Sequence, residues 1–357
     1  MDRCQCESWG FCSFFQQEMT YEPPNWQWCQ NATPEERKKY KIAVEKKHKR
    51  KATGPWCYPD NLSIRFSTVS SLVDDIKKHL LPKLARMNLK GVIGVPRSGI
   101  LPASLCALWL NIPLYGIAED GSLYVMSNSS DFGGLRMSQF KEKSGSIVLI
   151  DDTLSSGGSM EKAVGRIETD EDIVTCAVYA NPKKLDKVDI YGLDLHHPYI
   201  LDWCFFNTSY MERSYLDFDG ILSPDVPSHI ANDEQKYIEY IENVEPIQHR
   251  LPSLYKVQGI VTARLEKYRE VTERWLKKHG VDYEELHMFP TEREEERNKN
   301  HIEESSSFKA DIYLKSQAFI FVESHKLEAK KIHEKSGKVV ICPDDERIWV
   351  KRGHGQD

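Results

Sequence analysis

The run "SIVLIDDTLSSGGSM" constrains this chain more than any other stretch. Apolar residues pass straight into two carboxylates, Asp151 and Asp152. Then come Thr153, Ser155, Ser156, Gly157, Gly158 and Ser159. An apolar strand that delivers polar residues at its carboxyl end is the usual ligand position of an open α/β sheet. Paired glycines permit positive φ and close backbone approach. The loop's hydroxyls and amides then form a cradle for a phosphate. Two acids beside such a cradle make sense if the ligand also offers sugar hydroxyls or carries a divalent cation.

The surrounding pattern agrees. Between residues 62 and 206, helices alternate with the short apolar strands "GVIGV", "PLYGI", "SIVLI" and "IVTCAVYA". A helix is expected over residues 67–87 and another from Ser156 to about Ile167. Such alternation predicts a parallel sheet with helices on both faces. A second α/β region begins at "SYLDFDGIL", with a boundary expected at residues 207–213. It continues through a strand and an amphipathic helix with Leu265, Tyr268, Val271 and Trp275 on one side, then "AFIFVES" and "GKVVIC". The charged segment "TEREEERNKNHIEESSS" between them reads as a surface loop or frayed helix. The expected organisation is a Cys-rich segment (1–60) and two doubly wound, mostly parallel α/β domains (61–208 and 209–357).

With 357 residues, 40% hydrophobic and 29% charged, the chain has enough apolar surface for more than one core. No apolar run reaches the roughly 18 residues of a membrane helix. The start, "MDRCQCESWG", lacks the apolar core of a signal peptide, so a cytoplasmic location is expected. A net charge of −6 argues against general nucleic-acid binding. Cys4, Cys6, Cys12 and Cys29 crowd one end. Four thiolates could hold Zn²⁺ and staple a segment with no obvious core; an iron–sulfur cluster or free thiols are the alternatives.

The doubled acid and its small-residue loop resemble the phosphoribosyl pyrophosphate (PRPP) signature of type I phosphoribosyltransferases. The resemblance implies that Asp151 and Asp152 bind the ribose hydroxyls and that Thr153 to Ser159 hold the 5′-phosphate. Upstream, "GVIGVPRSGILPASLCALWLNIPLYGI" resembles the family's pyrophosphate loop, with Arg97, Ser98 and Gly99 facing pyrophosphate. Mg²⁺ would assist the leaving group. The segment between Gly121 and Gly145, with Arg136 and Lys141, resembles the family's mobile loop. The implied partners are small molecules, namely PRPP and a nucleobase or nucleotide; a homodimer is compatible with the family.

In the second region, "YLDFDGIL" resembles the first motif of the haloacid dehalogenase (HAD) superfamily. That implies Asp217 as nucleophile and Asp219 as acid/base. Thr262 in "GIVTAR" would bind phosphate, Lys309 in "FKADIYLKSQ" would neutralise charge, and Glu323 in "AFIFVESH" would join Asp217 and Asp219 around Mg²⁺. Lys315 is a rival to Lys309, whose "FKA" context precedes a helix. There are departures: Ile221 stands where Thr or Val is common, and Ser324 and His325 occupy positions where a second acid is usual. The inserts are too short for a large cap. Together the two resemblances imply a bifunctional enzyme that transfers a phosphoribosyl group and removes a phosphate, the product 5′-phosphate being the natural candidate. The alternative is a PRPP- or nucleotide-sensing domain that controls a phosphatase.

Overall fold

The computed structural model describes residues 64–126, 144–230 and 233–350. The four N-terminal cysteines and their expected zinc lie outside the described residues, as do Arg136 and Lys141. The described chain forms two units, which divide between Leu201 and Asp202. Both are built on parallel-dominated sheets with helical connections.

In the first unit, β1 (Arg65–Ser67) leads into α1 (Val69–Asp75), which continues through a π-helical turn at Ile76–Leu80 to Leu84. Thr68 Oγ1 accepts from Ser71 N at 3.1 Å and caps this helix. Leu72, Ile76, Leu80 and Leu84 are fully buried. A stripe repeating every four residues drifts around a 3.6-residue helix, and the wider π turn keeps it facing the core. The other elements are β2 (Leu89–Gly94), α2 (Ile100–Leu110), β3 (Leu114–Ile117), β4 (Leu123–Val125), β5 (Ser146–Leu154), α3 (Gly158–Val164), β6 (Ile173–Ala180), β7 (Ile190–Asp194) and β8 (Tyr199–Leu201).

The main sheet has the order β4-β3-β2-β5-β6-β7, and β8 pairs separately with β1. Neighbours are parallel except β3 with β4. Ile147, Val148, Leu149 and Ile150 of β5 are buried, as a central strand covered on both faces requires. The chain runs outward from β2 to one edge and from β5 to the other. Their shared carboxyl end is therefore the topological switch point, where open sheets bind ligands.

The second unit contains β9 (Ser214–Leu216), α4 (Glu234–Asn243), β10 (Val257–Leu265), α5 (Arg269–Lys278), β11 (Tyr283–Phe289), α6 (His301–Lys315), β12 (Ile320–Val322), α7 (Lys326–Ser336), β13 (Val339–Cys342) and β14 (Arg347–Trp349). The sheet order is β11-β10-β9-β12-β13-β14, parallel except at the β14 edge. Its switch point lies between β9 and β12.

Three local expectations change. The amphipathic helix starts at Arg269 rather than Leu265, because β10 runs on to Leu265, whose side chain is buried. The charged segment is helical, forming a short helix at Glu294–Lys299 and the start of α6. Lys309 lies within α6 rather than ahead of a helix, on its buried face with Ser305, Ser306, Ala310 and Tyr313. Among the described residues, no helix is long and apolar enough to cross a membrane.

Candidate functional site

Each switch point carries a cluster of polar side chains. In the first unit Asp151 and Asp152 are only 5% exposed and lie inside β5, with Asp151 opposite Ala177 and Thr153 opposite Tyr179. The loop expected to hold phosphate thus begins at Ser155, because Thr153 still belongs to β5. Two glycines let the neighbouring loop close in. A Cβ on Gly99 would stand 2.5 Å from Ile150 O, and one on Gly94 would stand 2.5 Å from the Ile100 Cα. Val95 N donates to Ile150 O at 2.8 Å, extending the β2–β5 ladder to the loop. Ser98 Oγ then donates to Asp152 Oδ1 at 2.8 Å, which ties the two loops together. Arg97 follows a cis Pro96–Arg97 peptide and is exposed.

Asp151 Oδ1 accepts from Asp152 N at 2.9 Å. Burial, reinforced by the adjacent Asp152 carboxyl, pushes the Asp151 carboxyl up to about 8. Gly157 has φ +83° and caps α3. The stem of Lys187 lies where a Gly157 side chain would go, and its Nζ pairs with Glu161 at 2.7 Å. Asn181 Nδ2 donates to Ser155 O at 3.2 Å, fastening the loop to the end of β6. His197 Nε2 lies 3.3 Å from Ser155 Oγ; burial, then Lys183, lowers the imidazole below its usual range. Thr153 Oγ1 is buried without a partner. Lys187 and His197 were not expected at this site. They reach it from the β6–β7 and β7–β8 connections, which sequence spacing does not reveal. Ser156 is exposed on the loop and Ser159 is exposed on the first turn of α3.

In the second unit, Asp217 N donates to Val322 O at 2.9 Å, carrying the β9–β12 ladder to the motif. Lys309 Nζ donates to Asp217 Oδ2 at 2.9 Å, Glu323 Oε2 at 2.6 Å and Glu328 Oε2 at 2.9 Å. All four side chains are buried. Burial alone would lower the ammonium, but Asp217, Glu323 and Glu328 hold Lys309 well above its usual range. Burial, with Glu323 nearby, raises the Asp217 carboxyl. Lys315 is not part of this network; Lys309 is the residue brought to Asp217. Glu328, on the first turn of α7, supplies the second acid that the residues directly after Glu323 lack. A lone Glu in "HKLEAKK" looks like a solvated helix charge, and nothing in the sequence sets it apart.

Thr262 is buried, and its Oγ1 accepts from Arg264 N at 3.1 Å. Asp219 faces Arg264. Arg264 Nε donates to Asp219 Oδ2 at 2.9 Å and Nη2 donates to Oδ1 at 2.6 Å. Gly220, at φ +77°, leaves room for Ser324: a Cβ there would stand 2.2 Å from Ser324 Oγ. Ser324 Oγ donates to Asp219 O at 3.3 Å, and Arg250 Nη1 holds Gly220 O at 2.7 Å.

Among the described residues, no three Asp, Glu, His or Cys side chains converge as metal ligands. The donor chemistry of the second cluster nevertheless suits a hard cation. Three carboxylates face one ammonium, and Asp217 Oδ1 is buried without a partner.

No family model matches the chain, and no curated protein matches it. Among solved structures, a purine phosphoribosyltransferase from Pyrococcus horikoshii Ot3 is 18% identical, covering 40% of this chain and 94% of that one with a TM-score of 0.28. A xanthine-guanine-hypoxanthine phosphoribosyltransferase from Helicobacter pylori is 11% identical over the same shares, with a TM-score of 0.28. An orotate phosphoribosyltransferase from Aeropyrum pernix is 18% identical over 35% of this chain and 69% of that one, at 0.26. At these scores the similarity carries no weight for function, which rests on side-chain geometry.

Proposed function

We propose that the chain is a bifunctional enzyme: its first unit transfers a phosphoribosyl group from or to PRPP, and its second handles phosphoryl groups through Asp217. The observation that carries the first half is the Ser98–Asp152 hydrogen bond at the switch point, which joins an Arg-bearing loop to a Gly- and Ser-rich loop. Asp151 and Asp152 accept from the ribose hydroxyls, and Ser155 to Ser159 enclose the 5′-phosphate with loop amides and hydroxyls. Arg97, exposed beside Asp152, meets pyrophosphate as the C1–O bond breaks and negative charge gathers on the leaving group.

In the second unit Asp217 attacks phosphorus, while Lys309 and Thr262 meet the transferring oxygens. Asp217 and Glu323 would hold Mg²⁺, which offsets repulsion between the carboxylate and an anionic phosphate. The HAD-like fold is part of the same proposal, supported by Asp217, Lys309 and Glu323 converging at a switch point.

The test of the first half is pyrophosphate release from PRPP with Mg²⁺ across a panel of nucleobases. Release that depends on one base and is lost in Asp152→Asn is the expected result. Binding of PRPP without release for any base would overturn transfer and leave a PRPP-sensing unit.

A further inference from the structure

Phosphoryl transfer through an aspartate has two proton requirements. A poor leaving group needs a proton as its bond to phosphorus breaks, and attacking water must later lose one. Asp219 occupies the position expected to meet both. Its two oxygens, however, are already taken as acceptors. Arg264 Nε lies 2.9 Å from Oδ2 and 3.2 Å from Oδ1, Nη2 lies 2.6 Å from Oδ1, and Ser223 Oγ lies 3.4 Å from Oδ1.

The clamp is built rather than incidental. The Arg264 side chain is 1% exposed, and its guanidinium stacks 3.7 Å above the Phe218 ring. Phe218 is itself wedged against Trp275 at 4.9 Å between ring centroids. Nη2 also donates to Ser223 Oγ at 3.2 Å. A guanidinium has no proton to exchange at working pH, and a fork of two parallel N–H groups matches a carboxylate in geometry and charge. Surface ion pairs swing free; here the Arg264 end is fixed in the interior, and only the Asp219 side chain, 23% exposed, reaches solvent.

We infer that the Asp217 site accepts phosphoryl groups only from donors whose leaving group departs without a proton: acyl phosphates and phosphoanhydrides. This rests on Asp217 being the nucleophile, as proposed above. The Asp217 carboxylate forms a bond to phosphorus, and the bond from phosphorus to the leaving oxygen breaks with its electron pair. A carboxylate or phosphate leaves as the stable anion. An alkoxide would need a proton that Asp219 is not placed to give. Water then attacks the aspartyl phosphate, its proton passes to solvent or to the departing phosphate, and Asp217 is regenerated. The 5′-monophosphate expected from sequence falls outside this class. Inorganic pyrophosphate, the co-product of the first unit's proposed reaction, falls within it.

The experiment compares kcat/KM of the full chain with Mg²⁺ for acetyl phosphate, pyrophosphate, phenyl phosphate and glycerol phosphate. Labelling of Asp217 by acetyl phosphate is followed by mass spectrometry. General acid catalysis is typically worth roughly 100- to 10,000-fold, so the wild type should favour acetyl phosphate over glycerol phosphate by at least about 100-fold. Arg264→Gln, which frees Asp219, should narrow that ratio by raising the glycerol phosphate rate, and Arg264→Lys should fall between. The wild-type series stands alone if the variants fail to fold. Glycerol phosphate turned over within about ten-fold of acetyl phosphate would overturn the clamp while leaving the Asp217 reading intact. No consumption of any donor, with Asp217 unlabelled, would remove the Asp217 reading and this inference with it.

Discussion

Asp151, proposed to bind a ribose hydroxyl, shows what such a buried acid costs the protein that carries it. Its carboxyl is pushed up to about 8 by burial and by Asp152. The folded state therefore binds a proton that an unfolded chain has released by pH 5. The contribution is fully present below about pH 4, near the ordinary carboxylate value, and is lost as pH rises through 8. Asp151→Asn keeps the shape and removes the charge. Its melting temperature should exceed that of the wild type by several degrees at pH 8 and match it near pH 4. A wild-type curve that is flat between pH 4 and 8 would refute this. Lys309 is the opposite case, one ammonium holding three buried carboxylates. Lys309→Met leaves those acids without a counter-charge. Removing one partner from a buried pair costs about 3–5 kcal/mol, so the urea midpoint of the transition that includes α6 should fall sharply. Adding Glu323→Gln and Glu328→Gln should restore part of it.

At the scale of elements, both sites depend on how closely a loop approaches a strand. Gly99 sits at ordinary φ, yet a side chain there collides with the Ile150 carbonyl at 2.5 Å. Gly280 has φ +69° and open space around it. Gly280→Ala should cost only the left-handed backbone penalty, about 1 kcal/mol. Gly99→Ala must move the Arg97–Gly99 loop off β5, costing about 1–3 kcal/mol and weakening PRPP binding as well. Thermal melts of both variants, with calorimetric titration of PRPP into Gly99→Ala, separate the two effects. The same distinction explains what the sequence made legible. The β5 run could be read because a strand buried on both faces is apolar throughout, so its break at Asp151 stands out. Asp217, Thr262 and Glu323 could be picked out for the same reason, as polar residues at the ends of apolar stretches, whereas Lys309, inside α6, was legible only through the resemblance to the HAD motifs. Arg264 and Glu328 could not. Each is a charged residue in a context that normally faces water, and only the three-dimensional pairing removes it from solvent. His197 and Lys187 were hidden differently, arriving beside Ser155 and Gly157 respectively from connections that follow other strands.

Across the whole molecule, net charge matters because both proposed substrates are polyanions and the chain carries −6. No general field draws them in, so each site needs local donors: Arg97 and the loop amides in one unit, Lys309 and Thr262 in the other. Those donors belong to separate units, each with its own sheet, switch point and core. The two chemistries should therefore separate by point mutation in the intact chain. Asp152→Asn keeps an amide oxygen for the Ser98 hydroxyl but loses the charge and one acceptor oxygen, and should cut base-dependent pyrophosphate release by about 100-fold or more, on the scale of losing one preorganised polar contact in a transition state. Consumption of acetyl phosphate should stay unchanged in that variant. Asp217→Asn removes the attacking oxygen and should do the reverse, abolishing acetyl phosphate consumption while pyrophosphate release from PRPP continues. Because pyrophosphate is itself an anhydride, wild type incubated with PRPP and the right base should accumulate orthophosphate, whereas Asp217→Asn should accumulate pyrophosphate. Equal orthophosphate from both proteins would mean that Asp217 does not act on the first unit's co-product, even if each half-reaction is real.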